Sequence, residues 1–287
     1  RPEVIVVGSG MGGLSAAAIL AARGVRVLVL EKESGVGGYV TGPVVAMARL
    51  FGFKTMIHEQ NSVPGMANRK LGGLVHRICI SLPESASFFP AAKTILTGNP
   101  IRAEILAAAA NPPEPSARLT LLVLGGSQGA HAINELVREA VAHTPRLAAT
   151  YAIIHQTGSQ DHQDVQGFYR DRDLEVRVEP FIRDMAQVYS QADLVISRAG
   201  ATTLAELAVL GKPAILIPYP YAADDHQMKN STWYAREGGA LVFEQARLTA
   251  EKLAETLLEL SDNEAQRIQM AAAMRRLGLP DAAEQIV

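Results

Sequence analysis

The chain has 287 residues, enough for two ordinary domains with a core each, and its 48% hydrophobic and 20% charged content is that of a globular chain, not a disordered one. A net charge of −2, with Lys and Arg spread along the chain, argues against nucleic acid as the main partner; the single cysteine, Cys79, excludes an internal disulfide and fits a reducing compartment. No apolar run reaches the ~20 residues that span a bilayer, and Val4 to Val7 is too short for the apolar stretch of a secretory leader.

From the amino terminus, VIVVG predicts a strand, GSGMGG a turn, LSAAAILAARG a helix and VRVLVLE a second strand. Gly8, Gly10 and Gly13 have the G-x-G-x-x-G spacing. Gly8 permits the tight turn, Gly10 lets a diphosphate approach the backbone, and Gly13 lets the helix pack close to the strand. Glu31 closes the second strand, where a carboxylate accepts from a ribose diol. The same residues also suit a plain βα turn with a solvated glutamate, but the full strand–turn–helix–strand context favours a nucleotide.

KTMIHE and HRICIS follow as strands, with His58, Glu59 and Asn61 of HEQN at a strand end and Arg102 after GNP. Arg102 suits an anionic or carbonyl oxygen, or a plain surface position. Ala107 to Arg118 contains three prolines and reads as an interdomain linker, which sets domains at 1–112 and 117–287. TLLVLGGSQGAHAINELV is strand, small-residue turn and helix. Backbone N–H groups from Gly126 to Gly129 and the Ser127 hydroxyl suit a phosphate, and Ser127 equally suits a helix N-cap.

YAIIHQT, LVISR and PAILIPY predict further strands. Such runs lack polar alternation and are separated by helices, the pattern of parallel sheets covered on both faces. After LVISR, the run ATTLAELAVL is helical. Leu204, Leu207 and Ala208 share one face, and Glu206 lies off it, where it either accepts ribose hydroxyls or is a surface carboxylate near the helix dipole. In EPFIRDM, Phe181 and Ile182 read as core. Asp224, Asp225 and His226 in DDHQMKN invite a metal reading, but neighbours in sequence rarely converge on one ion.

About the first 38 residues, through Gly37 and Gly38, resemble the FAD-binding start of phytoene desaturase and amine oxidase-type flavoproteins, and the likeness then stops. From Gly37 onward GGYVTGPVV, HEQNSVPGMANR, TGNPIR, LGGSQGAHAIN, FIRDMAQVYSQADLVISRAGATTLAEL and DDHQMKN occur in an order that resembles the MurG family. That family moves N-acetylglucosamine from UDP-GlcNAc to a lipid-linked muramoyl-pentapeptide in peptidoglycan synthesis.

The resemblance implies an α/β fold of two Rossmann-like parallel-sheet domains facing a cleft, the GT-B type, with a truncated N-terminal domain. It implies inverting transfer with no required cofactor or metal, in the bacterial cytoplasm or at the inner face of the plasma membrane. It implies Gly126, Ser127 and Gln128 at the diphosphate, and Ala201, Thr202, Thr203, Leu204, Ala205 and Glu206 lining the donor pocket, with Glu206 on the ribose. Ile182 would read uracil through its backbone, Gln227 the sugar hydroxyls, and Asn61 and Arg102 would lie at the substrate cleft.

Two departures stand out. The family's histidine after the opening glycine loop is Leu14 here, and several dozen residues are missing before GGY. The chain therefore reads as recombined, with a flavin-type βαβ unit joined at about residues 35–40. By chemistry alone His58 is a stand-in base or a structural histidine. Three readings result: the transferase, a UDP-sugar-binding protein without turnover, and an FAD-dependent oxidoreductase fragment.

Overall fold

The unbroken apolar runs pair as parallel strands in the computed structural model, which describes residues 4–7, 27–30, 41–111, 118–125 and 129–287. The chain forms two compact units, Arg1–Ala103 with Leu279–Val287, and Glu104–Gly278.

In the first unit β1 (Val4–Val7) pairs in parallel with β2 (Val27–Leu30), Val4 opposite Val27. Helix α1 (Thr41–Leu50) leads to β3 (Met56–Glu59), α2 (Met66–Gly72), β4 (Arg77–Ile80) and β5 (Thr94–Leu96). These three strands form a parallel sheet in the order β3-β4-β5, with Met56 opposite Arg77 and Ile78 opposite Thr94. Val45, Ile57, Leu71, Val75, Ile78, Ile80 and Phe89 make its core. Gly72 is required there, because a Cβ would meet the Phe89 ring at 2.8 Å.

The first glycine turn with Gly8, Gly10 and Gly13, the strand-end Glu31 and the join at 35–40 lie outside the described residues. So does the sequence-derived boundary between 112 and 117. The compact units divide at Ala103 and Glu104. The terminal segment, assigned from sequence to the second domain, packs with the first: Cys79 lies against Ile286, and Gly98 (φ +87°) leaves no room for a Cβ beside Leu279.

Helix α3 (Ala103–Ala110) leads into the second unit. There β6 (Leu119–Leu124), α4 (His131–His143), α5 (Arg146–Thr150), β7 (Tyr151–Gln156), α6 (His162–Arg170) and β8 (Val176–Glu179) follow in order. The chain then crosses to the other side of β6 with α7 (Met185–Gln191), β9 (Leu194–Ser197), α8 (Ala201–Leu210), β10 (Ala214–Leu216), α9 (His226–Arg236) and β11 (Ala240–Val242). Helices α10 (Ala250–Asp262) and α11 (Glu264–Leu277) complete the unit, and α12 (Ala282–Ile286) belongs to the first.

The sheet is parallel throughout, in the order β11-β10-β9-β6-β7-β8. Leu121, Val123, Ile153, Leu194, Ile196 and Ile215 form its apolar interior, covered on one face by α4 and α10. Burial of six such side chains contributes on the order of 10 kcal/mol before chain entropy is counted. Tyr151 donates to the Leu257 carbonyl at 2.7 Å, tying β7 to α10; burial pushes its phenol up to about 12. Asp184, Thr249 and Asn263 cap α7, α10 and α11.

Candidate functional site

The strand order of the second unit reverses between β6 and β9. A doubly wound sheet opens a crevice at the carboxyl ends of the strands flanking such a reversal. Two helices start there. Helix α4 follows the turn after β6, and α8 follows Arg198 to Gly200 after β9; their N-cap residues, Ala130 and Gly200, supply no side-chain cap. Their leading N–H groups and dipoles therefore favour an anion at this end of the sheet.

The residues that flank the turn after β6 come close to each other and to the strand end beside them. A Cβ on Gly125 would lie 2.4 Å from the Ala130 nitrogen, and one on Gly129 (φ +78°) would lie 2.6 Å from the Thr157 carbonyl oxygen. Gly126, Ser127 and Gln128 lie outside the described residues. Ala201, Thr202 and Thr203 form the half-buried first turn of α8, followed by buried Leu204 and half-buried Ala205. Glu206 is only 3% exposed, which removes the solvated surface carboxylate weighed from the sequence. It shares its burial with Leu204, Leu207 and Ala208 instead of pointing away to solvent. A carboxylate held there needs hydrogen-bond donors.

Gln227, in the first turn of α9, accepts from Ala199 N at 3.2 Å and Tyr219 N at 3.0 Å through the same oxygen. It thereby ties the exit of β9 to that of β10, and its amide N–H groups remain its means of meeting a ligand. Just before it Asp224 and Asp225 both hold left-handed backbone, φ +54° and +55°, a conformation costly for residues with a Cβ. Arg198 donates to the carbonyls of Ile217 and Pro218 and to Gln245, and burial lowers its pKa.

Ile182 is buried while its neighbour Phe181 is 53% exposed, so only one of the two is core. The Ile182 N–H donates to Gln156 Oε1 at 2.9 Å. No set of three or more potential metal ligands occurs among the described residues.

In the first unit, HEQN sits at the end of β3. Glu59 is buried and organises the loop that follows. Its Oε1 accepts from Asn61 N at 3.0 Å and Asn61 Nδ2 at 3.4 Å, and its Oε2 from Asn68 Nδ2 at 2.8 Å and Gly65 N at 3.3 Å. Asn61 is therefore held by its neighbour's carboxylate. His58 Nε2 lies 2.9 Å from the Gly98 carbonyl and 3.2 Å from Ser81 Oγ. A carbonyl can only accept, so Nε2 carries the proton and the lone pair sits on Nδ1. Loss of hydration lowers the His58 pKa, partly offset by the Gly98 carbonyl and Glu59. Arg102 is half-buried near the end of this unit.

Sequence reading passed over a second polar cluster, behind the turn after β6. His155 and Asn134 are fully buried. His155 Nε2 lies 3.0 Å from Asn134 Oδ1 and its Nδ1 3.1 Å from Tyr169 Oη, while Asn134 Nδ2 donates to Thr157 O at 2.9 Å and Asp161 Oδ2 at 2.7 Å. The signal was present as the polar HQT ending an otherwise apolar strand.

Comparison with known proteins adds to this geometry. Residues 120–286 match the glycosyltransferase family 28 C-terminal domain, and residues 6–55 match an NAD(P)-binding Rossmann-like domain. The UDP-N-acetylglucosamine–N-acetylmuramyl-(pentapeptide) pyrophosphoryl-undecaprenol N-acetylglucosamine transferase of Desulfotalea psychrophila is 56% identical over 254 residues, covering 88% of this chain and 69% of that protein. The protein of the same name from Azotobacter vinelandii is 46% identical over 253 residues, covering 88% and 70%. The crystal structure of Acinetobacter baumannii MurG superposes with a TM-score of 0.82 at 29% identity, covering 100% of this chain and 98% of that one.

Proposed function

The chain belongs to the family of UDP-N-acetylglucosamine–N-acetylmuramyl-(pentapeptide) pyrophosphoryl-undecaprenol N-acetylglucosamine transferases, and on that premise we propose how its own residues serve the reaction. It is a hexosyltransferase of the GT-B type, with UDP-GlcNAc as donor and the lipid-linked muramoyl-pentapeptide as acceptor.

The observation that carries the proposal is the pair of helix N-termini at the sheet reversal, whose N-cap residues supply no side-chain cap, with buried Glu206 on the second helix. The diphosphate lies against the start of α4, at Gly126, Ser127 and Gln128, and against Ala201 to Thr203. Glu206 accepts from the ribose, the Ile182 carbonyl meets the uracil edge, and the Gln227 amide meets the sugar. Asn61 and Arg102 serve the substrate. The acceptor hydroxyl attacks the anomeric carbon and the bond to UDP breaks, with inversion. The helix dipoles stabilise the charge that develops on the departing diphosphate, and the hydroxyl proton passes to a base, for which the Nδ1 lone pair of His58 is the candidate. No electron changes hands, so the reaction requires no redox cofactor.

Residues up to about 38 we read as a flavin-type βαβ unit standing where the family's own first unit would be, a reading the Rossmann-like match over residues 6–55 supports. Flavin absorbance in the purified protein would favour the oxidoreductase alternative; the transferase reading expects a colourless protein.

We also place the chain at a membrane surface. Among the described residues no helix is long and apolar enough to cross a bilayer. The end of α1 nevertheless exposes Leu50 (77%) and Phe51 (69%), and Arg49 bonds the carbonyl of exposed Leu74. His76 is held below its ordinary pKa by lost hydration and then by Arg49, Lys54 and Lys93, which marks those cations as its neighbours. Exposed apolar side chains with Arg49 and Lys54 close by in sequence suit an anionic lipid surface.

Calorimetric titration with UDP-GlcNAc, paired with a radiolabelled transfer assay on a lipid acceptor analogue, tests the function. Wild type binds and transfers, and Glu206→Ala loses about 1.5–3 kcal/mol of binding, the worth of a hydrogen bond to a charged group. Binding without product selects the non-catalytic reading, and no binding by wild type removes the donor site.

A further inference from the structure

The cluster behind the turn after β6 has no part in the chemistry just described, yet it is built with care. Tyr169 Oη, His155, Asn134 and Asp161 form a continuous line of hydrogen bonds through the interior of the second unit, and Asp161 also meets His131 Nδ1 at 3.0 Å. The direction of each bond is fixed. Thr157 O and the Asp161 carboxylate can only accept, so the Asn134 NH2 points at them and its carbonyl oxygen points at His155. His155 must then donate from Nε2 and accept from the Tyr169 hydroxyl at Nδ1. A neutral imidazole satisfies both, and burial holds His155 neutral, with a pKa lowered to about 3.

An apolar filling of the same volume would be at least as stable, because burying a polar network forfeits hydration at every group. What the network supplies is orientation. His131 and Asn134 both belong to the first turn of α4, and both are bound to the segment after β7. The same segment bears on the turn from the other side, where Gly129 approaches Thr157 and Gly158 so closely that a Cβ has no room. The start of α4 and the end of the turn are thus set against one backbone stretch, Thr157 to Asp161.

We infer that His155 and Asp161 are positioning residues for the diphosphate: through Asn134 they fix the first-turn N–H groups of α4, next to Gly129 and Ala130, in the orientation that receives the phosphates. The inference rests on the reading of this end of the sheet as the UDP site, and it adds residues that touch no substrate.

The test compares UDP with uridine, which shares the base and ribose and lacks the phosphates. Both are titrated calorimetrically into the full-length chain and into Asp161→Ala, His155→Leu and His155→Gln, with thermal unfolding recorded on each. Asp161→Ala and His155→Leu are expected to weaken UDP about ten-fold or more and to leave uridine within about two-fold. His155→Gln keeps a donor toward Asn134 and is expected to restore UDP to within about three-fold of wild type. Should His155→Leu fail to fold, Asp161→Ala, at the solvent-facing end of the line, carries the comparison. Equal losses for both ligands, or unchanged UDP binding in Asp161→Ala, overturn the inference. A wild-type chain that binds neither ligand defeats the donor-site reading and this inference with it, and that result appears before any substitution is made.

Discussion

His155 carries a pH dependence of its own. An unfolded histidine titrates near 6.5, whereas the buried ring takes a proton only near pH 3, chiefly because burial strips its hydration and secondarily because Arg138 is near. Between those values the unfolded chain binds a proton that the folded chain refuses. The contribution is therefore whole above about pH 6.5 and declines as the pH falls toward 3, by up to about 1.4 kcal/mol per pH unit. Denaturant unfolding at pH 7 and pH 5 is expected to show a steeper loss for wild type than for His155→Gln; equal slopes would assign the acid sensitivity to other groups. The residues of this line were hidden in the sequence because Asn134 and Asp161 stand 27 positions apart and only the sheet brings them together. Glu206 and Gln227, by contrast, were legible as candidates from the motifs around them. Their burial and their bonds to backbone were not, since neither follows from spacing.

At the scale of the element, the central strands of the second unit announced themselves and its edge strands did not. TLLVLGG, YAIIHQT, LVISR and PAILIPY are built around apolar runs because strands covered on both faces need apolar side chains on both. The apolar runs did not reveal β5, β8 and β11, which stand at the margins of their sheets, where VRVE and TIL are largely half-buried or exposed. Sheet order was equally out of reach, since each crossover reads alike along the chain. The turn after β6 was visible as small residues, but the close approach of its flanking residues was not. Gly129→Ala places a methyl against the Thr157 carbonyl at a positive φ, and is expected to cost at least about 2 kcal/mol of stability and to weaken UDP more than uridine. Chemical denaturation and the paired titration check both; an unaffected midpoint would mean that the turn relaxes freely.

Across the whole molecule, the α/β class with parallel sheets followed from the alternation of strand and helix, and the family from ordered motifs spanning most of the chain. The apolar end of α1 adds a consequence for how the chain meets its lipid-linked acceptor. Leu50→Glu with Phe51→Glu is expected to lower partitioning onto vesicles containing anionic lipid by about ten-fold or more, without changing UDP binding. Sedimentation with vesicles, with and without anionic lipid, measures this; undiminished partitioning would overturn the proposal that this end of α1 meets a membrane.

The return of the last residues has a practical side. Because Leu279–Val287 rejoins the first unit, the chain passes between the units twice, and the first unit cannot be cut out as one uninterrupted piece, whereas the second, Glu104–Gly278, can. Expressing residues 1–103 alone would bare the faces that Gly98 and Cys79 turn toward Leu279, Ala282 and Ile286, leaving an apolar wound on a small sheet.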